Sequence, residues 1–280
     1  MSSEMKRLAA RAGFAVLVAV IAVWSLFPFY WALVSSLKVG ADLFEADLVP
    51  RRISFESYTG IFVEQPFGRN LLNSLIVASA TVALATALAC FAAYALGRVR
   101  FRGRGLVLLA ILGVSMFPQV AVLSGLFEVI TWLRLYDNLG ALVISYMVIV
   151  LPFMVWMLTT TIAALPQSLE EAASLDGAGP VYVLTRIFVP LLAPAIAATG
   201  LLAFMTAWNE FLFALTFTLS NETRTVPVAI ALISGASEHE LPWGRIMAAS
   251  VIVTLPLIAL TIAFQRRIVS GLTAGAMGGE

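Results

Sequence analysis

The sequence predicts an all-α protein that crosses a membrane six times. Three observations carry this. Of the 280 residues, 61% are hydrophobic and 12% charged, whereas an ordinary soluble domain carries roughly a quarter charged residues. The mean hydropathy is +0.97, which is more apolar surface than a compact soluble fold of this length can hide. Charge is also missing from six separate stretches of 26, 28, 23, 32, 23 and 20 residues, and a helix needs about 20 apolar residues to cross a bilayer. This composition excludes a soluble enzyme or binding module. It also excludes disorder, which requires low hydrophobicity and high net charge.

The gaps between charges place the spans in order. The first lies between Arg11 and Lys38, over about 13–36, and the second between Arg69 and Arg98, over 70–96. The third, 105–129, starts after Arg104 and reaches Glu128; the fourth, 140–163, sits between Asp137 and Glu170. The fifth, 188–216, follows Arg186 and takes in Glu210, and the sixth, 245–265, ends before Arg266. Barrel strands alternate apolar and polar residues over about ten positions, and runs such as Ser79 to Ala95 do not. A continuous apolar run pairs its own backbone in lipid only as a helix. The first span is too long for the core of a signal peptide and has no small-residue cleavage site after it, so it reads as retained. The chain thus divides into an N-terminal part (1–69: a cytoplasmic segment, the first span and an outer loop), a core (70–265) and a tail (266–280).

Orientation follows from the loop cations. With the N-terminus inside, inner segments hold ten of the 17 lysines and arginines, four of them in Gly97–Gly105. Both termini are therefore expected in the cytoplasm. Pro28, Pro118, Pro152, Pro194 and Pro256 fall within spans, where each removes a backbone donor and favours a kink. Small residues crowd the second span (Ala78, Ser79, Ala80, Ala83, Ala85, Ala87, Ala89) and suit close helix packing in lipid. Cys90 reads as a small buried hydrophobe and His239 as a solvated loop residue. One of each cannot build a zinc site, and a net charge of +1 gives no basic footprint for nucleic acid.

The loop between the fourth and fifth spans differs from the rest. Pro166 discourages the fourth helix from continuing, and Ser168 with Glu171 has the spacing of a capping box. Gly177 suits a helix stop, and Pro180 suits the first turn of a second helix leading to Pro190. The expectation is a short helix, a turn and another helix at the cytoplasmic membrane face. Leu169, Ala172 and Ala173 fall on one side of the short helix, a shallow face ringed by Glu170, Glu171 and Asp176. That face fits either a docking surface for another protein or an ordinary connector.

These residues resemble a known family. Glu171-Ala172-Ala173, then Gly177 after three residues, then Ile187 and Val189-Pro190, is similar to the EAA loop of ABC-importer permeases, with valine at 189 where that pattern has leucine. The ending Gln265–Ala276 resembles the tail of the second permease subunit in maltose- and trehalose-type importers, and Trp208-Asn209-Glu210-Phe211 resembles a frequent carbohydrate-permease motif. The resemblance implies the type I importer permease fold in a bacterial plasma membrane, with the EAA loop at 166–190. It implies that Glu171, Ala172, Ala173, Asp176 and Gly177 form a coupling helix seated on a cytoplasmic ATPase subunit. Gly271, Leu272, Thr273, Ala274 and Gly275 would reach the ATPase dimer, in place of an ordinary frayed terminus. The partners implied are a second related permease, two ATPase subunits, a solute-binding protein facing Ser220–Trp243, and a sugar, favoured as a maltose- or trehalose-like disaccharide.

The chain carries no phosphate loop of its own. A Walker motif needs lysine after glycine; only Lys6 and Lys38 exist, and they follow Met5 and Leu37. ATP and its magnesium would be bound by partners, with no cofactor or metal in this chain and no catalytic residue. Glu210 is the one acid well inside a span and should face the bundle interior rather than lipid. With Trp208 and Asn209 it forms either a polar helix contact or part of a translocation path. A stand-alone secondary carrier is the alternative reading, although such carriers usually place several ionisable groups on their pathways. A membrane-embedded enzyme would need a cluster of catalytic groups that the chain lacks.

Overall fold

A computed structural model describes residues 3–233 and 242–276, with only the backbone given for 3–6, 8–10 and 266–276. Among the described residues there are helices and no strand. Four helices are long and apolar enough to cross a membrane, and two further helix pairs qualify as bent spans. The chain divides into two compact units, 1–66 with 232–255, and 67–231 with 256–280.

In the first unit, α1 (Ser3–Ser36) is apolar on every side after Arg11, and from Phe14 to Tyr30 its large side chains are exposed; Trp24 is 82% exposed. A helix of this kind is a membrane span rather than a core helix. Its C-terminal end is tied into a small polar assembly. Ser36 Oγ lies 2.7 Å from Tyr58 Oη of α2 (Glu56–Glu64). The buried Lys38 donates to the carbonyls of Glu45 and Asp47 at 2.9 and 2.8 Å and lies 5.0 Å from the Trp31 ring. That ammonium has carbonyl dipoles and a π face in place of water. Arg245, in the first turns of the last helix, pairs with Glu64 of α2.

The second unit is built on two long helices. α3 (Phe67–Arg98) and α6 (Leu139–Ala164) lie along one another. Val77, Ala78, Ala85, Ala89 and Ala93 of α3 are buried, as are Val150, Met154, Leu158 and Ile162 of α6. The alanines let the backbones approach, as packing in lipid favours. At Gly97 the approach leaves no room for a side chain: a Cβ would sit 2.8 Å from Ile162 Cγ2.

Two expected spans are not single helices. The third is split into α4 (Arg104–Ser115) and α5 (Gln119–Trp132), bent by 98°. Pro118 caps α5 with extended ψ 132, and the residue before a proline is disfavoured in helical conformation, so the chain breaks where a kink was expected. The fifth is also a bent pair, and it ends earlier than the expected 188–216. The segment after the EAA-like loop forms α8 (Pro180–Leu191), which contains a π-helical stretch at Val183–Phe188, and then bends by 78° into α9 (Ala193–Trp208). Pro190 and Pro194 each remove a donor around that bend. The chain then breaks at Asn209–Phe211 and resumes as the short α10 (Leu212–Phe217), with α11 (Val226–Ala231) after it. The last helix, α12 (Trp243–Ala276), contains Pro256 without a break. Pro28 and Pro152 likewise lie inside continuous helices. Cys90 is buried and free, as its apolar surroundings suggest.

The contact at Gly97 gives a direct test. Ile162 is β-branched and stiff, so Gly97→Ala should destabilise the protein by about 1–3 kcal/mol through overpacking. A thermal unfolding series on the purified membrane protein checks this. Gly113→Ala, where a Cβ would meet nothing within 4 Å, should leave the midpoint unchanged or higher.

Candidate functional site

The segment singled out in the sequence folds as a short helix, α7 (Ser168–Leu175), carried at the end of the second unit where α3 and α6 terminate. Its stop is a Schellman motif. Gly177 is left-handed at φ 79, its N–H donates to Ser174 O at 3.1 Å, and the Ala178 N–H donates to Ala173 O at 3.0 Å. Pro180 opens α8, as expected. The capping box does not form. Gln167, in helical conformation, takes the cap position, which places Ser168 inside the helix with no side-chain cap. Glu170 and Glu171 still favour this terminus, because negative charge in the first turn complements the helix dipole.

The shallow face expected from Leu169, Ala172 and Ala173 is split by the packing. Ala173, 7% exposed, and Leu169 turn into the apolar core among Leu158, Ile162, Val183 and Phe188. Ala172 points away. It shares the free side with Ser168, Glu171 and Leu175, which recur at helical spacing, and Leu175 is 90% exposed. Asp176 and Gly177 are exposed beside it. Of the five residues assigned to coupling, four are therefore bare and Ala173 is an anchor. Open grooves of about 630 and 700 Å³ flank the ridge, one reaching Arg98 and Arg100, the other Tyr182 and Arg186.

A polar knot on α3 and α6 holds α7. The Tyr94 hydroxyl lies 2.5 Å from Glu170 Oε1, and Arg98 donates to Leu165 O, just past the end of α6, at 2.6 Å. The Arg98 side chain is 5% exposed, its guanidinium lies 5.1 Å from the Phe188 ring, and its Nε stands 3.9 Å from Glu170 Oε2. In the sequence Arg98 was one cation of a basic loop. No local pattern pairs it with a residue about 70 positions away.

The other singled-out cluster lies at the break after α9. Trp208 is buried and stacks on Phe204 at 5.6 Å between centroids. Glu210, 6% exposed, faces inward and accepts hydrogen bonds from the backbone N–H groups of Phe213 (2.8 Å) and Ala214 (3.1 Å). It thereby caps α10, a structural use for a buried carboxylate. Asn209 alone is exposed, with its amide donating to Met205 O at 2.8 Å.

At the end of the second unit away from α7, the loop 219–226 is held from two sides. Asn70 donates to the carbonyls of Asn221 and Arg224 (2.7 and 3.0 Å), Asn73 to those of Glu222 and Arg224, and Ser74 Oγ accepts from Val226 N. Opposite, the Asp137 carboxylate accepts from the N–H groups of Leu219 (2.8 Å) and Ser220 (3.1 Å) and from the hydroxyls of Ser220 and Thr223. Partial burial would raise the Asp137 carboxyl. The hydrogen bonds from Thr223, Leu219 and Ser220 outweigh it and lower the group to about 2. Neither Asp137 nor Asn70 carried a local sequence signal. Part of the expected outer loop Ser220–Trp243, including His239, lies outside the described residues. So do the side chains of Gly271, Leu272, Thr273, Ala274 and Gly275, whose backbone continues α12.

Residues 85–273 match the family model described as binding-protein-dependent transport system inner membrane component. The trehalose/maltose transport system permease protein MalG of Thermococcus litoralis is 42% identical over 268 residues, covering 95% of each chain. The trehalose transport system permease protein SugB of Mycobacterium tuberculosis is 36% identical, covering 95% of this chain and 97% of that protein. The sulfoquinovosyl glycerol transport system permease protein SmoH of Agrobacterium fabrum is 39% identical over 94% of this chain and 93% of that protein. Among solved structures, a chain of a bacterial ABC transporter involved in import of the acidic polysaccharide alginate superposes with TM-score 0.80 at 23% identity, covering 95% and 98% of the two chains. At that identity the likeness is one of fold.

Two outcomes follow from the geometry. The folded Asp137 carboxyl lies below its ordinary 3.8, so its contribution should be complete above pH about 4 and fade as pH falls toward 2. After discounting for surrounding solvent it should be about 1–2 kcal/mol. Unfolding midpoints across that range should show the loss in the parent protein, and Asp137→Asn should be less stable at neutral pH with a flatter profile. At Gly177 nothing lies within 4 Å of a Cβ, so Gly177→Val should act only through left-handed strain of about 1–2 kcal/mol. Amide exchange at Gly177 and Ala178 should then accelerate by about tenfold, whereas Gly179→Ala should leave it unchanged.

Proposed function

Because this chain belongs to the family of binding-protein-dependent transport system inner membrane components, we propose that it is a permease subunit of an ATP-driven importer for a sugar. A disaccharide of the trehalose or maltose kind is favoured, since the relatives named for those sugars match along nearly the whole chain. The observation that carries the coupling part of the reading is α7: a stiff, capped helix, anchored to the bundle by Ala173 and Glu170 and bare along Ser168, Glu171, Ala172 and Leu175. A ridge of small and acidic groups between two open grooves suits seating in a cleft of another protein.

In this reading α7 is the coupling helix, with Glu171, Ala172, Asp176 and Gly177 meeting a cytoplasmic ATPase subunit and Ala173 locking the helix to its own bundle. The arginines of Gly97–Gly105, among them Arg98 beside Glu170, support a cytoplasmic placement of that end. The termini are cytoplasmic and the membrane is the bacterial plasma membrane. ATP and magnesium bind the two ATPase subunits. This chain supplies no phosphate loop: Lys6 and Lys38 lack the required glycine. A second related permease completes the path, and the loop 219–226 lies on the side of a solute-binding protein. ATPase closure draws the two coupling helices together, and the permeases rock between inward- and outward-open states. Of the path candidates, Asn209 offers its side chain, whereas Trp208 and Glu210 shape the break. The tail from Gly271 to Gly275 is proposed to reach the ATPase dimer. Nothing among the relatives favours the stand-alone carrier.

The test is to isolate the assembly from native membranes and measure ATP hydrolysis with its binding protein. An ATPase should copurify, and trehalose or maltose on the binding protein should raise hydrolysis several-fold. Sugar uptake by this chain alone in vesicles, driven by an ion gradient without nucleotide, would overturn the reading.

A further inference from the structure

We propose that Tyr94, Arg98 and Glu170 form a strut that carries displacement of α7 into α3, which makes them positioning residues for coupled transport. This deepens the reading of α7 as the coupling helix and rests on it. An eight-residue helix held only by Ala173 and a half-buried Leu169 could be pushed against the bundle. Apolar contact is non-directional, so it would resist sliding or pulling poorly. Glu170 supplies the directional element. It leaves α7 on the side away from the free face and ends against two groups of α3, one turn apart.

Arg98 is where the surrounding elements converge. Its guanidinium is bonded to the Leu165 carbonyl beyond α6, lies 5.1 Å from Phe188 of α8, and faces Glu170 of α7. Tyr94 is tied to the same ring at 5.8 Å between centroids. The knot is also incomplete. Arg98 Nε is buried without an acceptor, and the nearest carboxylate oxygen, Glu170 Oε2, is 3.9 Å away, too far for a hydrogen bond. A shift of about one ångström of α7 toward α3 would close that gap and satisfy the orphaned donor. The Tyr94 bond is made and the Arg98 bond is open, so the link has a second position available, as a transmission element needs. Gly97 permits it, because the close approach to Ile162 brings Arg98 within reach of Leu165.

The experiment uses the assembled complex in proteoliposomes with its ATPase, second permease and sugar-loaded binding protein, and reads sugar molecules imported per ATP hydrolysed. Tyr94→Phe removes the hydroxyl that meets Glu170, and Glu170→Gln removes the charge that faces Arg98; both should assemble and hydrolyse ATP, while uptake per ATP falls about tenfold, the order of one hydrogen bond to a charged group. A merely structural role would lower the yield of complex, or both rates together, and leave the ratio intact. An unchanged ratio overturns the strut. The double variant should be no worse than the worse single, since both act on one link; multiplying losses would also overturn it. If Tyr94→Phe does not assemble, the near-isosteric Glu170→Gln decides by the same ratio. Failure of the parent chain to couple uptake to ATP would instead sink the function reading on which this rests; a coupled parent with a normal Glu170→Gln sinks the strut alone.

Discussion

The close packing of α3 on α6 is the constraint on which the second unit depends. In lipid there is no hydrophobic gain in bringing two apolar helices together, so their contact must come from fit. Here the fit is made by alanines along α3 and by Gly97 at its end, against Val150, Met154, Leu158 and Ile162. Two polar assemblies of this unit hang from the ends of that pair. At one end Tyr94 and Arg98 hold α7 and the end of α6. At the other, Asn70, Asn73 and Ser74 hold the loop 221–226.

Around this pair the chain tolerates breaks that a span in open lipid would not. The bends at Pro118 and around Leu192, and the interruption at Asn209, each leave backbone groups outside helical ladders. Glu210 satisfies two such groups directly by capping α10. A buried carboxylate that looks costly as a charge at membrane depth is thus accounted for by two backbone donors.

Much of this was legible in the sequence because it is written locally. Charge-free gaps gave the spans, and Gly177 with Pro180 marked the stop of α7 and the start of α8. Where several local signals competed, packing decided. Pro118 marks a break in the chain and Pro194 sits in the first turn of α9 after the bend, whereas Pro28, Pro152 and Pro256 sit in continuous helices. Ser168 had a capping-box pattern, yet Gln167 took the cap. Ala172 and Ala173 are neighbours in sequence, yet the bundle claimed one and left the other bare. The knot of Tyr94, Arg98 and Glu170 and the clamp at Asp137 were invisible for a different reason. Their partners are about 70 to 85 residues apart, and no periodicity reports a pairing that only the fold creates.

A continuous helix of 32 residues is about 48 Å long and yields little along its axis. α3 has one end fastened to loop 221–226 and the other to α7, and any coupling between guests at those two ends is reciprocal. Whatever factor a guest at the far loop imposes on the affinity of a guest at α7, the second must return to the first. Such a rod has no preferred sender. The direction in which news travels along it is set by which guest arrives first, and by which of them spends free energy before it leaves.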